Sequence, residues 1–98
     1  MSKIFVTRQI PGEALAELER VHEVVVYQGE GKISRQELVE KVKGVEAILC
    51  LVTEKIDSEV FQAAGRQLKL VANYAVGYDN VDVGEATRRG VMVTNTPS

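Results

Sequence analysis

The sequence predicts an α/β fold, a doubly wound parallel sheet of five strands, and three observations carry that prediction. Short runs of branched apolar residues alternate with stretches whose apolar positions recur at helical spacing, from one end of the chain to the other. Residues 47–52 are continuously apolar, as a strand covered on both faces must be. Ser34 with Glu37, and Asp82 with Glu85, have the spacing of capping boxes at helix starts.

Taken in order, the first strand covers residues 3–7, and Pro11-Gly12 opens a helix whose Ala14, Leu15 and Leu18 fall on one face. A second strand covers 24–27. After a loop over 29–33, Ser34 caps a helix that buries Leu38, Val39 and Val42 and is closed by Gly44. The third strand, 47–52, is followed by a helix capped by Asp57 or Ser58 and carrying Val60, Phe61 and Ala64. A fourth strand covers 68–72. Asp82 starts a short helix ending near Gly90, and residues 91–94 form a fifth strand before Pro97 stops the chain.

The order βαβαβαβαβ calls for right-handed crossovers, hence a parallel sheet with helices on both faces. The flavodoxin-like strand order 2-1-3-4-5 is the economical arrangement, with ligands expected outside the carboxyl ends of the strands. A complete fold of this type carries a fifth helix on the same face as the first, and here the chain stops at Thr96-Pro97-Ser98. Apolar sheet beside the Ala14, Leu15 and Leu18 helix is therefore expected to face water. Self-association through that face, as a homodimer or by exchange of an element, is the expected consequence.

Composition narrows the function classes. Ninety-eight residues make one small domain, and area scaling buries roughly 65% of the unfolded surface, enough for a core without metals or disulfides. No apolar run reaches the roughly 20 residues that cross a bilayer, and residues 1–4 run into a strand pattern without a leader, which reads as cytoplasmic. A net charge of −2 with scattered Lys and Arg gives no nucleic-acid footprint, and the doublet Arg88-Arg89 reads as a solvated helix end. Cys50, the one cysteine, sits in an apolar run and reads as core.

The candidate ligand loop is Ala75-Val76-Gly77, delivered by the run at 68–74. Consecutive small residues expose backbone N–H groups, and Gly77 has no Cβ to hold an anion at a distance, so the loop forms a plausible carboxylate cradle. On the loop alone the simpler reading, that Gly77 merely turns the chain after a strand, is favoured. Val52-Thr53-Glu54 is expected on the same edge after the third strand. Glu54 and Asp57 read as acids favoured by a helix macrodipole, and His22 lies at the opposite edge.

Other chemistries hosted by such sheets find no residues here. A response-regulator phosphoacceptor needs acids after strand one, an Asp ending strand three and a Lys after strand five, where this chain has Arg8-Gln9, Thr53 and Asn95. A flavin-phosphate loop needs a run of hydroxyls, and residues 7–12 hold one. Gly29-Glu30-Gly31 lacks the third glycine of a dinucleotide fingerprint, so no cofactor site is expected in this chain.

The opening 3–11 (KIFVTRQIP), the run 48–52 (ILCLV), the segment 68–82 (LKLVANYAVGYDNVD) and the ending Arg89-Gly90-Val91 with Thr94-Asn95-Thr96-Pro97 together resemble the D-isomer-specific 2-hydroxyacid dehydrogenases. The likeness is nearest to the glyoxylate/hydroxypyruvate reductases among them, and covers essentially the whole chain. What the resemblance implies is a two-domain enzyme using NADH or NADPH, with residues 1–98 as the first part of its substrate-binding domain. It further implies that Ala75, Val76 and Gly77 bind the carboxylate of a small 2-oxo or 2-hydroxy acid through backbone amides, with Val52 lining the same pocket. The family's catalytic histidine, its acidic partner, the substrate-binding arginine and the nucleotide fingerprint match no position here. The isolated chain is accordingly expected to bind substrate without catalysing hydride transfer. The competing reading is a self-associating structural module with the ligand loop merely inherited.

Overall fold

The computed structural model describes residues 3–7, 20, 22–29, 32–51, 54–74 and 79–95. Five parallel strands, β1 (Lys3–Val6), β2 (Glu23–Val26), β3 (Ala47–Leu51), β4 (Leu70–Tyr74) and β5 (Met92–Asn95), form one sheet in the order β2-β1-β3-β4-β5. Three helices lie among the described residues: α1 (Arg35–Lys41), α2 (Ser58–Ala64) and α3 (Val83–Arg88). The expected helix opened by Pro11-Gly12 lies outside them.

Alternation along the strands sorts the side chains into two layers. Phe5, Ile48, Cys50 and Val71 point to one face and join Leu38, Val42, Val60, Phe61, Ala64 and Ala86 from the three helices in a single buried core. On the other face Ile4 and Val6 are buried, Ala47, Leu49, Leu70 and Ala72 are half-buried, and Met92 is 65% exposed. An apolar cleft lined by Ile4, Ala47, Leu49, Leu70 and Ala72 marks that second face.

Helix ends follow the local chemistry. The Ser34 hydroxyl accepts from the Glu37 N–H at 3.2 Å, and the Asp82 carboxylate accepts from the Glu85 N–H at 3.0 Å, each satisfying a first-turn donor. Glu85 does not close its box by reaching back: its carboxylate takes Arg88 and Arg89, each at 2.5 Å, so the basic doublet is paired on its own helix. Asp57 holds the N-cap position of α2, with its carboxylate on Arg35 rather than on a helix N–H. Gly44 and Gly90 stand at φ +79° and +73°, backbone that a Cβ disfavours, which is why both stop the chain after a helix.

The sheet differs from expectation chiefly at β4, which begins at Leu70 rather than at residue 68. Leu68 is buried, and its N–H donates to Gly65 O at 3.3 Å, closing the turn after α2. Pairing with β3 starts only at Ala47↔Leu70. The apolar run is thus longer than the strand, because its first member plugs a turn. The same pairing carries β4 on to Tyr74, through Leu51↔Tyr74.

Candidate functional site

Strands β3 and β4 end side by side at Leu51 and Tyr74, at the carboxyl edge of the sheet where ligands of such folds are expected. The candidate residues Val52, Ala75, Val76 and Gly77 follow those ends directly in sequence and lie outside the described residues. The structure does describe what brackets them on either side.

Asn80 is the hub of that bracket. Its amide Nδ2 donates to Glu54 O at 2.8 Å, Leu51 O at 3.0 Å and Asn73 Oδ1 at 3.1 Å, sharing two hydrogens among three acceptors. Asn73 Nδ2 returns a bond to Asn80 Oδ1 at 2.8 Å, so the two amides face each other reciprocally. The main chain adds to the tie: Ile56 N–H donates to Asn80 O at 2.8 Å and Asp82 N–H to Ile56 O at 2.9 Å, a parallel bridge between Ile56 and Val81.

Glu54 corrects a sequence expectation. It is 1% exposed, and is held by named donors rather than only by the macrodipole expected of a helix-start acid. Its Oε1 accepts from the Thr7 hydroxyl at 2.5 Å and from the Leu51 N–H at 3.0 Å, joining the end of β1 to the end of β3. Thr7 is itself fully buried, and its N–H donates to Leu49 O at 3.0 Å. Burial of this carboxylate is compatible with folding because polar donors converge on it.

Cys50 is fully buried as expected, with its thiol 3.5 Å from Asn73 Oδ1. Burial, with the nearby Glu54 charge, pushes the thiol up to about 12, so it holds its proton and is no nucleophile. Asp57 stands outside the buried network. Burial acts to raise its carboxyl, yet the hydrogen bond and charge of Arg35 hold it below the usual carboxylate range. Arg35 also donates to Lys55 O at 2.8 Å and pairs with Glu59 at 2.8 Å, fastening the start of α1 to the start of α2.

Two cavities among the described residues differ in charge and in edge. One of about 320 Å³ on this edge is lined by Asp57, Asp79 and Asp82 with a single lysine, Lys55. A roomier one of about 390 Å³, lined by Arg66 and Arg89 beside Gly65, Leu68 and Val91, lies at the amino ends of the strands. His22 precedes β2 at that same amino edge. Among the described residues no three His, Cys, Asp or Glu side chains converge to hold a metal ion, and no helix is long and apolar enough to cross a membrane.

Sequence reasoning passed over Asn73, Asn80 and the Thr7–Glu54 pair. The available signal was an asparagine inside an otherwise apolar strand, since a buried amide requires partners and another asparagine follows seven residues later.

Comparison with known proteins adds a family to this geometry. Residues 4–98 match the family model described as D-isomer specific 2-hydroxyacid dehydrogenase, catalytic domain. The chain is 56% identical over 95 residues to a glyoxylate reductase of Pyrococcus furiosus and 55% identical over 95 residues to one of Thermococcus kodakarensis. In each case the match covers 97% of this chain and 28% of the relative, so the chain spans little more than a quarter of their length. Among solved structures it superposes on a protein of Thermus thermophilus with TM-score 0.90 at 41% identity, covering 98% of this chain and 30% of that one. It also resembles an NADPH-dependent glyoxylate/hydroxypyruvate reductase of Sinorhizobium meliloti, solved with NADP and malonate, at TM-score 0.70 and 30% identity, covering 99% of this chain and 28% of that one.

Proposed function

Because the chain belongs to the D-isomer specific 2-hydroxyacid dehydrogenase family, we propose that it is the substrate-binding portion of an NAD(P)H-dependent glyoxylate/hydroxypyruvate reductase. Residues 1–98 form a single domain that docks a small 2-oxo or 2-hydroxy acid, and the nucleotide-binding domain belongs to the remainder of the enzyme. Backbone amides of Ala75, Val76 and Gly77 hold the carboxylate, and Val52 limits the size of the tail. Charge-assisted N–H bonds fix the acid group while apolar neighbours set the length of substrate accepted. The observation that supports this reading is the Asn80 hub at the carboxyl edge of the sheet, which ties Leu51 and Glu54, the described residues on either side of 52–53 in sequence, to Asn73 near the end of β4.

NADH or NADPH supplies the hydride when bound to the rest of the enzyme, and this chain holds the acceptor still. A hydride donor and a group to protonate the carbonyl oxygen are both required for reduction. The 98-residue chain alone is therefore inactive. The test is an amide-shift titration with glyoxylate beside an activity assay. The proposal expects shifts confined to Val76, Gly77 and their neighbours, with no NADH or NADPH oxidation above buffer; turnover by the purified chain contradicts it.

The self-associating module is kept as a second reading by one observation, the half-buried residues Ala47, Leu49, Leu70 and Ala72 beside the exposed Met92. A concentration-dependent dimer with no glyoxylate shifts favours that reading. Monomer alone at high micromolar concentration removes it.

A further inference from the structure

The amino edge of the sheet, opposite the carboxyl edge that bears the candidate loop, holds the cavity of about 390 Å³ between the turns that lead into β4 and β5. Its apolar lining is Phe61, Leu68 and Val91, none of them more than 7% exposed. Arg66 and Arg89 line it too, one from each turn, and no acid stands among the described residues around it. Its volume falls in the range of about 300–1,000 Å³ usual for small-molecule pockets.

Bases at a helix end are ordinarily explained by the macrodipole, and Arg88 and Arg89 fit that account at the end of α3. Arg66 does not. It lies past the last turn of α2, which holds no base, and the end carbonyls are already taken: Phe61 O by the Gly65 N–H at 3.1 Å, and Ala64 O by the Gly44 N–H at 3.2 Å and by the Gln67 amide. Among the described residues Arg66 makes no hydrogen bond and no ion pair. Its chain neighbours are nonetheless anchored, since the Gln67 amide donates to Val45 O at 3.1 Å and the Leu68 N–H to Gly65 O at 3.3 Å. On the other turn, Glu85 answers Arg88 and Arg89 with one carboxylate, each at 2.5 Å, so three guanidiniums at this corner share a single acid. Like charges gathered at one cavity repel, and an anion between them reverses the sign.

We propose that this cavity binds a small phosphate dianion between the Arg66 and Arg89 side chains. A guanidinium is a planar fork of fixed donors that matches phosphate oxygens two at a time, and a tetrahedral dianion offers oxygens to two forks at once. A monocarboxylate presents one flat pair of oxygens and serves one fork. Arg66 is exposed and the Arg89 side chain keeps 35% of its surface exposed, so both are reached from solvent. The site is separate from the carboxylate loop and stands or falls without it.

The test titrates inorganic phosphate, phenyl phosphate and acetate into the 98-residue chain and follows the amide resonances of residues 65–68 and 89–91. At pH 8 the phosphates are dianions, and about 0.1 M salt screens exposed charges beyond about 10 Å. Saturable shifts at those amides are expected with phosphate, with a dissociation constant on the order of 1 mM, and acetate is expected to bind about tenfold more weakly. Arg66→Gln is expected to weaken phosphate about tenfold and to leave stability unchanged, because Arg66 has no partner to lose. Arg88→Gln removes the same charge from the Glu85 cluster without touching the lining, and is expected to leave the constant within about twofold. Equal weakening in the two variants reduces the effect to general attraction and overturns the site. So does the lack of saturable shifts at 65–68 and 89–91, or acetate binding as tightly as phosphate. Tighter binding of phenyl phosphate than of inorganic phosphate upholds the site and identifies an ester whose apolar group meets Leu68 and Val91; an equal or reversed order upholds it with the free ion as ligand.

Discussion

Replacing Glu54 separates what its shape contributes from what its charge contributes. In Glu54→Ala the Thr7 hydroxyl and the Leu51 N–H both lose their acceptor, at a position 1% exposed. An unsatisfied buried donor costs about 1–3 kcal/mol, and a cavity is added where the side chain stood. Relief from burying a charge offsets part of this, leaving a loss of about 3 kcal/mol. In Glu54→Gln the carbonyl oxygen has two lone pairs and can keep both donors, because both bonds converge on the same Oε1. Charge assistance to these two donors is lost, about 1 kcal/mol. For a chain of this length 1 kcal/mol moves the midpoint of thermal unfolding by about 4–8 °C. Urea unfolding followed by circular dichroism measures both variants. Equal losses in the two, or a loss below about 0.5 kcal/mol in Glu54→Ala, refute the buried brace.

Other outcomes follow from the same structure. Gly77→Val is expected to abolish glyoxylate shifts, because a branched side chain obstructs the amides and restricts the backbone; unchanged titration curves count against the site. Cys50, pushed up to about 12 by burial, is expected to resist a thiol-reactive disulfide reagent at pH 8 in the folded chain and to react at once in denaturant; fast labelling of the native form contradicts its burial. The Asp57 carboxyl titrates lower folded than unfolded, so its stabilisation is complete above the ordinary aspartate value of 3.8 and is lost as pH falls through the depressed one. Arg35→Gln is expected to remove that acid dependence and to cost about 0.5–1 kcal/mol at neutral pH, a discounted value because both partners are partly exposed; an identical acid profile in the variant argues against the pair.

The parts of the fold that are legible in the sequence are those encoded locally. Strand order follows from alternating periods and crossover handedness, and Ser34 and Asp82 announce helix starts because a cap bonds a donor three residues away. The bounds of β4 are not legible in this way, because an apolar run does not say which of its members pair, and Leu68 is buried in a turn instead. Glu54 escapes a sequence reading for a different reason. Its partner Thr7 lies 47 residues away, so nothing in its neighbourhood distinguishes a buried brace from an acid favoured by a helix macrodipole. Asn80 reaches Leu51 across 29 residues and Asn73 across 7, and only the folded sheet edge brings the three together. The candidate loop is read from small residues after a strand, which is a statement about backbone freedom alone, and its residues lie outside the described ones.

The central claim is recognition of a carboxylate by main-chain amides at the end of β4. The most direct measurement compares glyoxylate with its methyl ester in parallel amide-shift titrations of the chain, at up to about 10 mM, well above a millimolar dissociation constant. Saturable shifts at Ala75, Val76 and Gly77 with the acid and none with the ester are predicted; equal shifts with both, or none with either, contradict the claim.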